Sequence, residues 1–155
     1  MHPHVDLIQK FYTAFQNRDS KQMAICYHPN ARFSDPVFPQ LYGAELIGGM
    51  WRMLCENGTD LVITFKAVRA DDEIGSAHWE ATYTFAGGHQ VHNIIQAQFR
   101  FEKGLIMEHH DQFNFWRWSR MALGVPGYFL GWTNFLQKQV QRQARRRLEN
   151  FLHAG

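Results

Sequence analysis

Two ionisable side chains stand close together in the stretch Leu105 to Trp116, LIMEHHDQFNFW. Read with a strand's period of two, Leu105, Met107, Phe113 and Phe115 set an apolar inner parity, and His109 and Asp111 fall on it. Glu108, His110, Gln112 and Asn114 take the other face. An imidazole and a carboxylate two residues apart on one strand face can interact directly or through water. Burying the carboxylate without a partner costs several kcal/mol or shifts its pKa. Such a pair suits general acid/base chemistry, with Asp111 orienting or charge-stabilising His109.

A third candidate lies far away in sequence. Asp35 sits in Ala31 to Gly43, ARFSDPVFPQLYG, among Phe33, Val37, Phe38 and Tyr42. An Asp before Pro commonly builds a turn with its own backbone. In this apolar run it also fits a carboxylate at the mouth of a pocket, placed to take a proton or position a water. The candidate acid/base set is therefore Asp35, His109 and Asp111. Tyr12, Trp51, Trp79, Tyr83, Phe99 and Phe113 are the candidate pocket lining. For most of these aromatics, core packing is the plainer role. His109 and Asp111 lack an evident third ligand, so no metal is expected, and no cofactor.

Composition narrows the classes. The 155 residues make one domain. Aromatic residues are 15% of the chain, which favours large side chains in the core or around a cavity. A net charge of +2 gives no global case for nucleic acid or membrane. Cys26 and Cys55 form no CxxC pair or disulfide framework and suit a reducing compartment. With no leader-like segment and no apolar run near 20 residues, a cytoplasmic location is expected.

The elements that must position the candidates follow from periodicity. Val5 to Asn17 has helical spacing at 5, 8, 11, 12 and 15. Asp19 or Ser20 caps a short second helix carrying Met23, Ala24 and Tyr27, ended by His28-Pro29-Asn30. Ala31 to Asp35 is a short strand, and Ala44 to Glu56 a third helix stopped by Asn57-Gly58. Four strands then alternate: Leu61–Arg69, Ser76–Phe85, Val91–Glu102 and Leu105–Trp116. Their inner rows are Leu61, Ile63, Phe65 and Ala67; then Ala77, Trp79, Ala81, Tyr83 and Phe85; then Asn93, Ile95, Ala97, Phe99 and Phe101. The short connections predict an antiparallel meander.

Three helices before an alternating antiparallel sheet resemble the nuclear transport factor 2-like fold, a cone with an apolar cavity. ARFSDPVFPQLYG, at its distance from the first helix, resembles the ketosteroid isomerase family, whose general base would fall at Asp35. GLIMEHHDQFNF resembles the last strand of SnoaL-like cyclases and limonene epoxide hydrolases, whose acid/base Asp would fall at Asp111. The resemblance covers roughly residues 3 to 116. It implies an α+β cone-shaped curved antiparallel sheet, with N-terminal helices enclosing a cavity, and a homodimer paired through the outer sheet face.

The departures limit the reaction. The isomerase oxyanion hole uses a Tyr and a protonated Asp, and the matching positions here are Phe11 and Ala97. Steroid isomerisation is not expected. The strand that carries an Asp and an Arg in epoxide hydrolases offers only Ile95, Ala97 and Phe99 inward. What remains is a cofactor-independent isomerase, cyclase or hydrolase acting on a small hydrophobic molecule. The alternative is a non-catalytic ligand-binding or scaffold domain.

Residues 1–116 form the expected domain and 117–155 a C-terminal helical extension. Arg117 to Leu123 is short, and Gly124-Val-Pro-Gly127 breaks the chain. Phe135 to Leu152 is an amphipathic helix whose polar face carries Lys138, Arg142, Arg145, Arg146 and Arg147. A solvated face on a helix packed against the domain is the first reading. An anionic membrane surface, helped by Phe129 and Trp132, is the lesser one. Nucleic acid is excluded for want of a reading motif.

Overall fold

The computed structural model describes residues 1–85 and 87–154. The described residues form two helices, two strands, a third helix, four strands and three final helices: α1 (Pro3–Gln16), α2 (Ser20–Ala24), β1 (Tyr27–Ser34), β2 (Leu41–Tyr42), α3 (Ala44–Asn57), β3 (Val62–Ala70), β4 (Ile74–Phe85), β5 (His89–Glu102), β6 (Leu105–Gln112), α4 (Phe115–Leu123), α5 (Val125–Leu130) and α6 (Asn134–Ala154). The strands form one sheet in the order β2-β1-β6-β5-β4-β3. All neighbours run antiparallel except β1 and β6, which are parallel. The curved, unclosed sheet wraps α1 and α3. It is the α+β cone that the sequence implies.

Each N-terminal helix starts and packs for local reasons. Pro3 opens α1, where its missing N–H costs nothing, and the His2 ring accepts from the His4 N–H. Ile8, Phe11, Tyr12 and Phe15 form its buried stripe. In α2, the Asp19 carboxylate caps the Gln22 N–H. In α3, Gly49 lets α6 approach, since a Cβ there would lie 2.6 Å from Leu152 Cδ2.

The sheet departs from strict alternation where it must bend. β5 keeps a clean inner row of Val91, Asn93, Ile95, Ala97, Phe99 and Phe101. β3 does not. Its pairing with β4 shifts register between Lys66 and Arg69, and Ala67 takes a left-handed backbone at φ 55°. Ala67 is therefore exposed, not inward as parity expects, and Val68 and Ala70 turn inward instead. On β6 the shift falls opposite Arg100/Phe101. Ile106, rather than Leu105, is the fully buried residue, and Met107 is the extra one in the ladder.

Two further expectations are corrected. Tyr27 belongs to β1, not to the second helix, because the chain extends after Ala24 and the strand runs through Pro29. β6 ends at Gln112, not Trp116, since the Asn114 side chain accepts from the Arg117 N–H and starts α4. On the outer sheet face, Arg32 and Arg100 both pair with Glu108, at 3.0 and 3.1 Å.

The extension packs on the cone. Leu148 is fully buried, the Gln137 and Gln141 side chains donate to the Pro36 carbonyl, and Arg52 lies over the Phe151 ring. A second cluster of Val91, Phe115, Trp118 and Ala122, with Val37, Tyr83 and Phe113 against it, joins α4 to the open end of the sheet.

Candidate functional site

The parity of β6 brings His109 and Asp111 to the inside, each 1% exposed. Their surroundings come from four elements. β1 runs parallel beside β6 and sets Phe33 next to His109. β5 sets Phe99 opposite His109 and Ala97 opposite Asp111. α1 and α3 supply Phe11 and Trp51, whose rings lie 5.7 and 6.1 Å from the imidazole. The Phe99 ring is nearest, at 4.4 Å. Phe11 and Ala97, at the positions that the isomerase resemblance matches to an oxyanion-hole Tyr and Asp respectively, present only carbon here.

Inside this aromatic shell the polar atoms form one directed chain. Asp111 Oδ1 lies 2.8 Å from His109 Nε2 and also accepts from Trp79 Nε1 at 3.3 Å. His109 Nδ1 lies 2.7 Å from the Tyr27 hydroxyl, which accepts from Trp51 Nε1 at 3.0 Å. A carboxylate only accepts, so Nε2–H donates to Asp111. Neutral His109 then accepts at Nδ1 from Tyr27 O–H, and every group has a partner. An imidazolium would instead donate to Tyr27 and strand the phenol proton. Burial, the largest influence, drives the Tyr27 pKa well above its usual value, against the Trp51 hydrogen bond. Tyr27 therefore stays a donor.

Tyr12 sits beside the chain but outside it. Its ring packs against Phe65, Trp79 and Phe99, and its hydroxyl is buried with no partner among the described residues. Burial, and then the Asp111 charge, raise its pKa well above the usual phenol range.

Asp35 answers both readings of its sequence context. Its Oδ1 accepts from the Val37 and Phe38 N–H groups at 2.7 and 2.6 Å, and its own N–H donates to the Phe38 carbonyl. That is turn chemistry, an Asx-type closure around Pro36. Yet the residue is half-buried rather than solvated. Part of it meets solvent, but the carboxyl is enclosed enough that burial pushes its pKa up to about 7. The Phe38 N–H bond opposes this, the Asp111 charge adds to it, and the Val37 N–H bond opposes it again.

The pocket candidates divide. Trp51, Trp79, Phe99 and Tyr12 are buried around the polar chain and fill the centre of the cone. Tyr83 and Phe113 are half-buried and pack, with Val37, against the cluster of Val91, Phe115, Trp118 and Ala122. The Tyr83 hydroxyl accepts from Trp118 Nε1 at 2.8 Å and feels the Asp35 charge, which adds to the effect of burial in raising its pKa.

Sequence reasoning missed Tyr27 and Trp118. A buried His with only one partner in its own strand needs a second from a neighbouring one. That requirement was a signal, but the parallel β1–β6 pairing that meets it is tertiary. No group of three His, Cys, Asp or Glu side chains that could hold a metal occurs among the described residues.

Fold and site together define a nuclear transport factor 2-like cone with a polar chain in its aromatic interior. More narrowly, residues 8–109 match the SnoaL-like domain, and the chain belongs to that family. Among solved structures, it is similar to a nuclear transport factor 2-like protein of unknown function from Burkholderia pseudomallei. That likeness has 16% identity and a TM-score of 0.70 over 78% of this chain and 98% of the other. It is also similar to an epoxide hydrolase of the LEH-like kind from M. tuberculosis, with 15% identity and a TM-score of 0.63 over 78% and 90%. A third similar structure is TsrD from Streptomyces laurentii, with 19% identity and a TM-score of 0.67 over 79% and 96%. These likenesses show the fold. No curated protein matches the chain.

Proposed function

We propose that this SnoaL-like chain is a cofactor-independent acid/base enzyme acting on a small hydrophobic molecule beside Asp35 and Tyr83. The observation that carries the reading is Asp35. It is a half-buried carboxyl with a pKa near 7, held rigidly by two backbone N–H groups. A group poised near neutrality can both take and return a proton. Tyr83 is the complementary donor. Its oxygen already accepts from Trp118, so its own O–H proton is free to hold a substrate oxygen.

In this reading Asp35 removes a proton from the substrate, Tyr83 steadies the oxygen that gains charge, and the protonated Asp35 gives the proton back. Val37, Phe113 and Trp118 supply apolar contact. His109 and Asp111, 1% exposed, act as positioning residues: burial raises the Asp35 pKa, the Asp111 charge adds to it, and His109 with Tyr27 fixes Asp111. Isomerisation and cyclisation need only this proton shuttle; hydrolysis adds a water positioned by Asp35.

A panel of small carbonyl and epoxide compounds, followed by product analysis, tests this. Turnover of one class, falling about 10²- to 10⁴-fold in Asp35→Asn, is the expected result. Turnover unaffected by that substitution would discard the assignment.

The second reading, a non-catalytic ligand-binding or scaffold domain paired as a homodimer, is favoured by a different fact. Buried aromatic side chains occupy the centre of the cone around His109. Ligand-induced stabilisation without turnover across the panel would select it.

A further inference from the structure

Exposed apolar surface is unevenly spread over this molecule. Trp116, Val125, Tyr128, Phe129, Leu130, Trp132 and Phe135 are half of the large hydrophobic side chains exposed among the described residues, and they fall within 20 residues of sequence. Phe129 and Trp132 are 72% and 73% exposed. Scattered single exposures are ordinary, but a contiguous group marks an interaction surface.

The group stands out from the body because of how α5 is seated. Its contact with α4 runs through Gly127 and Gly131. A Cβ on Gly127 would lie 2.0 Å from the Ser119 carbonyl oxygen, and one on Gly131 would lie 2.0 Å from Ser119 Oγ. The small residues take the buried side, so Tyr128, Phe129, Leu130 and Trp132 turn outward. Arg120 ties the unit together, lying over the Trp116 and Tyr128 rings at 4.2 and 5.6 Å.

Charge identifies what this surface fits. Residues 112–155 hold seven Arg and Lys against a single acidic residue, Glu149, whereas residues 1–111 hold nine against thirteen. Around α6, Phe135, Lys138, Arg142, Arg145 and Arg146 fall within an arc of about 100°, centred about 110° from buried Leu148. Lys138, Arg142 and Arg145 also border a groove against Phe38 to Leu41. The Arg145–Glu149 pair is the acidic contact on this stripe; Lys138, Arg142 and Arg146 carry none among the described residues. Outward aromatics followed directly in the chain by a cationic stripe, with exposed Phe135 on the stripe itself, match a bilayer's acyl boundary and its anionic headgroups.

We infer that α5 and the cationic stripe of α6 form a docking surface for an anionic lipid bilayer. Tyr128, Phe129, Trp132 and Phe135 enter the headgroup boundary, and Lys138, Arg142 and Arg146 lie on lipid phosphates. No described helix is long and apolar enough to cross a membrane, so the association is peripheral. The inference is independent of the chemistry proposed for Asp35.

Vesicle co-sedimentation of the full chain tests it. Vesicles of phosphatidylcholine mixed with phosphatidylglycerol should pellet the protein, and phosphatidylcholine alone should do so weakly. Raised salt should release it. Lys138→Gln with Arg142→Gln should weaken binding about fivefold for each charge removed, and Phe129→Glu with Trp132→Glu should abolish it. Tryptophan emission should shift to the blue on binding in the wild type, a readout that needs no variant. Absence of binding to the mixed vesicles, or binding unchanged by salt and by both pairs of substitutions, would overturn the inference. So would a solution dimer that Phe129→Glu/Trp132→Glu breaks without any vesicle binding, since the surface would then belong to a second copy.

Discussion

His109 bridges Asp111 and Tyr27, with Nε2 2.8 Å from the carboxylate and Nδ1 2.7 Å from the phenol, and all three residues are buried. The imidazole thereby joins β6 to β1 through side chains as well as through the backbone ladder. Tyr27→Phe should leave both His109 Nδ1 and the Trp51 N–H without partners. The expected loss is about 1–3 kcal/mol for the stranded groups, read by urea unfolding. An unchanged midpoint would mean that the phenol bond contributes nothing.

The His109–Asp111 pair should behave as a unit. Removing one member leaves the other buried and unmatched, at a cost of about 3–5 kcal/mol, whereas replacing both leaves only the Tyr27 O–H and Trp79 N–H unpaired, at about 1–3 kcal/mol each. A double-mutant cycle of His109→Leu and Asp111→Leu should therefore show the double variant losing clearly less than the sum of the two single losses. Additive losses would contradict the coupling.

Asp35 links stability to pH with a definite sign. Its folded pKa of about 7 lies above the ordinary 3.8, so between these values the folded chain binds a proton that the unfolded chain does not. Stability should fall as pH rises through that window. Asp35→Asn keeps an oxygen acceptor for Val37 and Phe38 but removes the charge. At pH 8 it should be more stable than wild type by on the order of 2 kcal/mol, a figure reduced from the full shift because the residue retains contact with water. The gain should vanish near pH 4. Thermal unfolding across this range measures it, and a gain independent of pH would reject the assignment.

The α4–α5 contact is set by backbone proximity that no side chain can share. Gly127→Val would drive a Cβ into the Ser119 carbonyl. We expect α5 to separate from α4, with faster proteolytic cleavage between residues 124 and 134, while hydrogen exchange in β5 stays unchanged. Cleavage at the wild-type rate would show that the close seating is not required.

At Ala67 the left-handed backbone is carried by a residue with a Cβ. Ala67→Gly should relieve about 1 kcal/mol of strain, partly offset by the greater freedom of Gly in the unfolded chain. A small rise in Tm is expected; a fall would show that the bulge is not strained.

Much of this molecule was determined by local pattern. The period-two rows of β4 and β5 require one apolar face, and the spacing of Ile8, Phe11, Tyr12 and Phe15 requires an inward helix stripe. His109 and Asp111 could be placed inside because a strand's side chains alternate whatever they pair with. Even there the alternation is locally broken, since Ile106 rather than Leu105 is the core residue and Met107 falls at a bulge. Bulges at Met107 and Ala67 answer to sheet curvature, which summed contacts across strands impose and a single strand's alternation does not record. The Asx turn at Asp35 was legible in Asp-Pro; the carboxyl's elevated pKa was not, because burial by packed elements and the Asp111 charge produce it. Tyr27 and Trp118 had no local mark of function. Only the parallel pairing of β1 with β6, and the seating of α4 on the open end of the sheet, bring them to His109 and Tyr83.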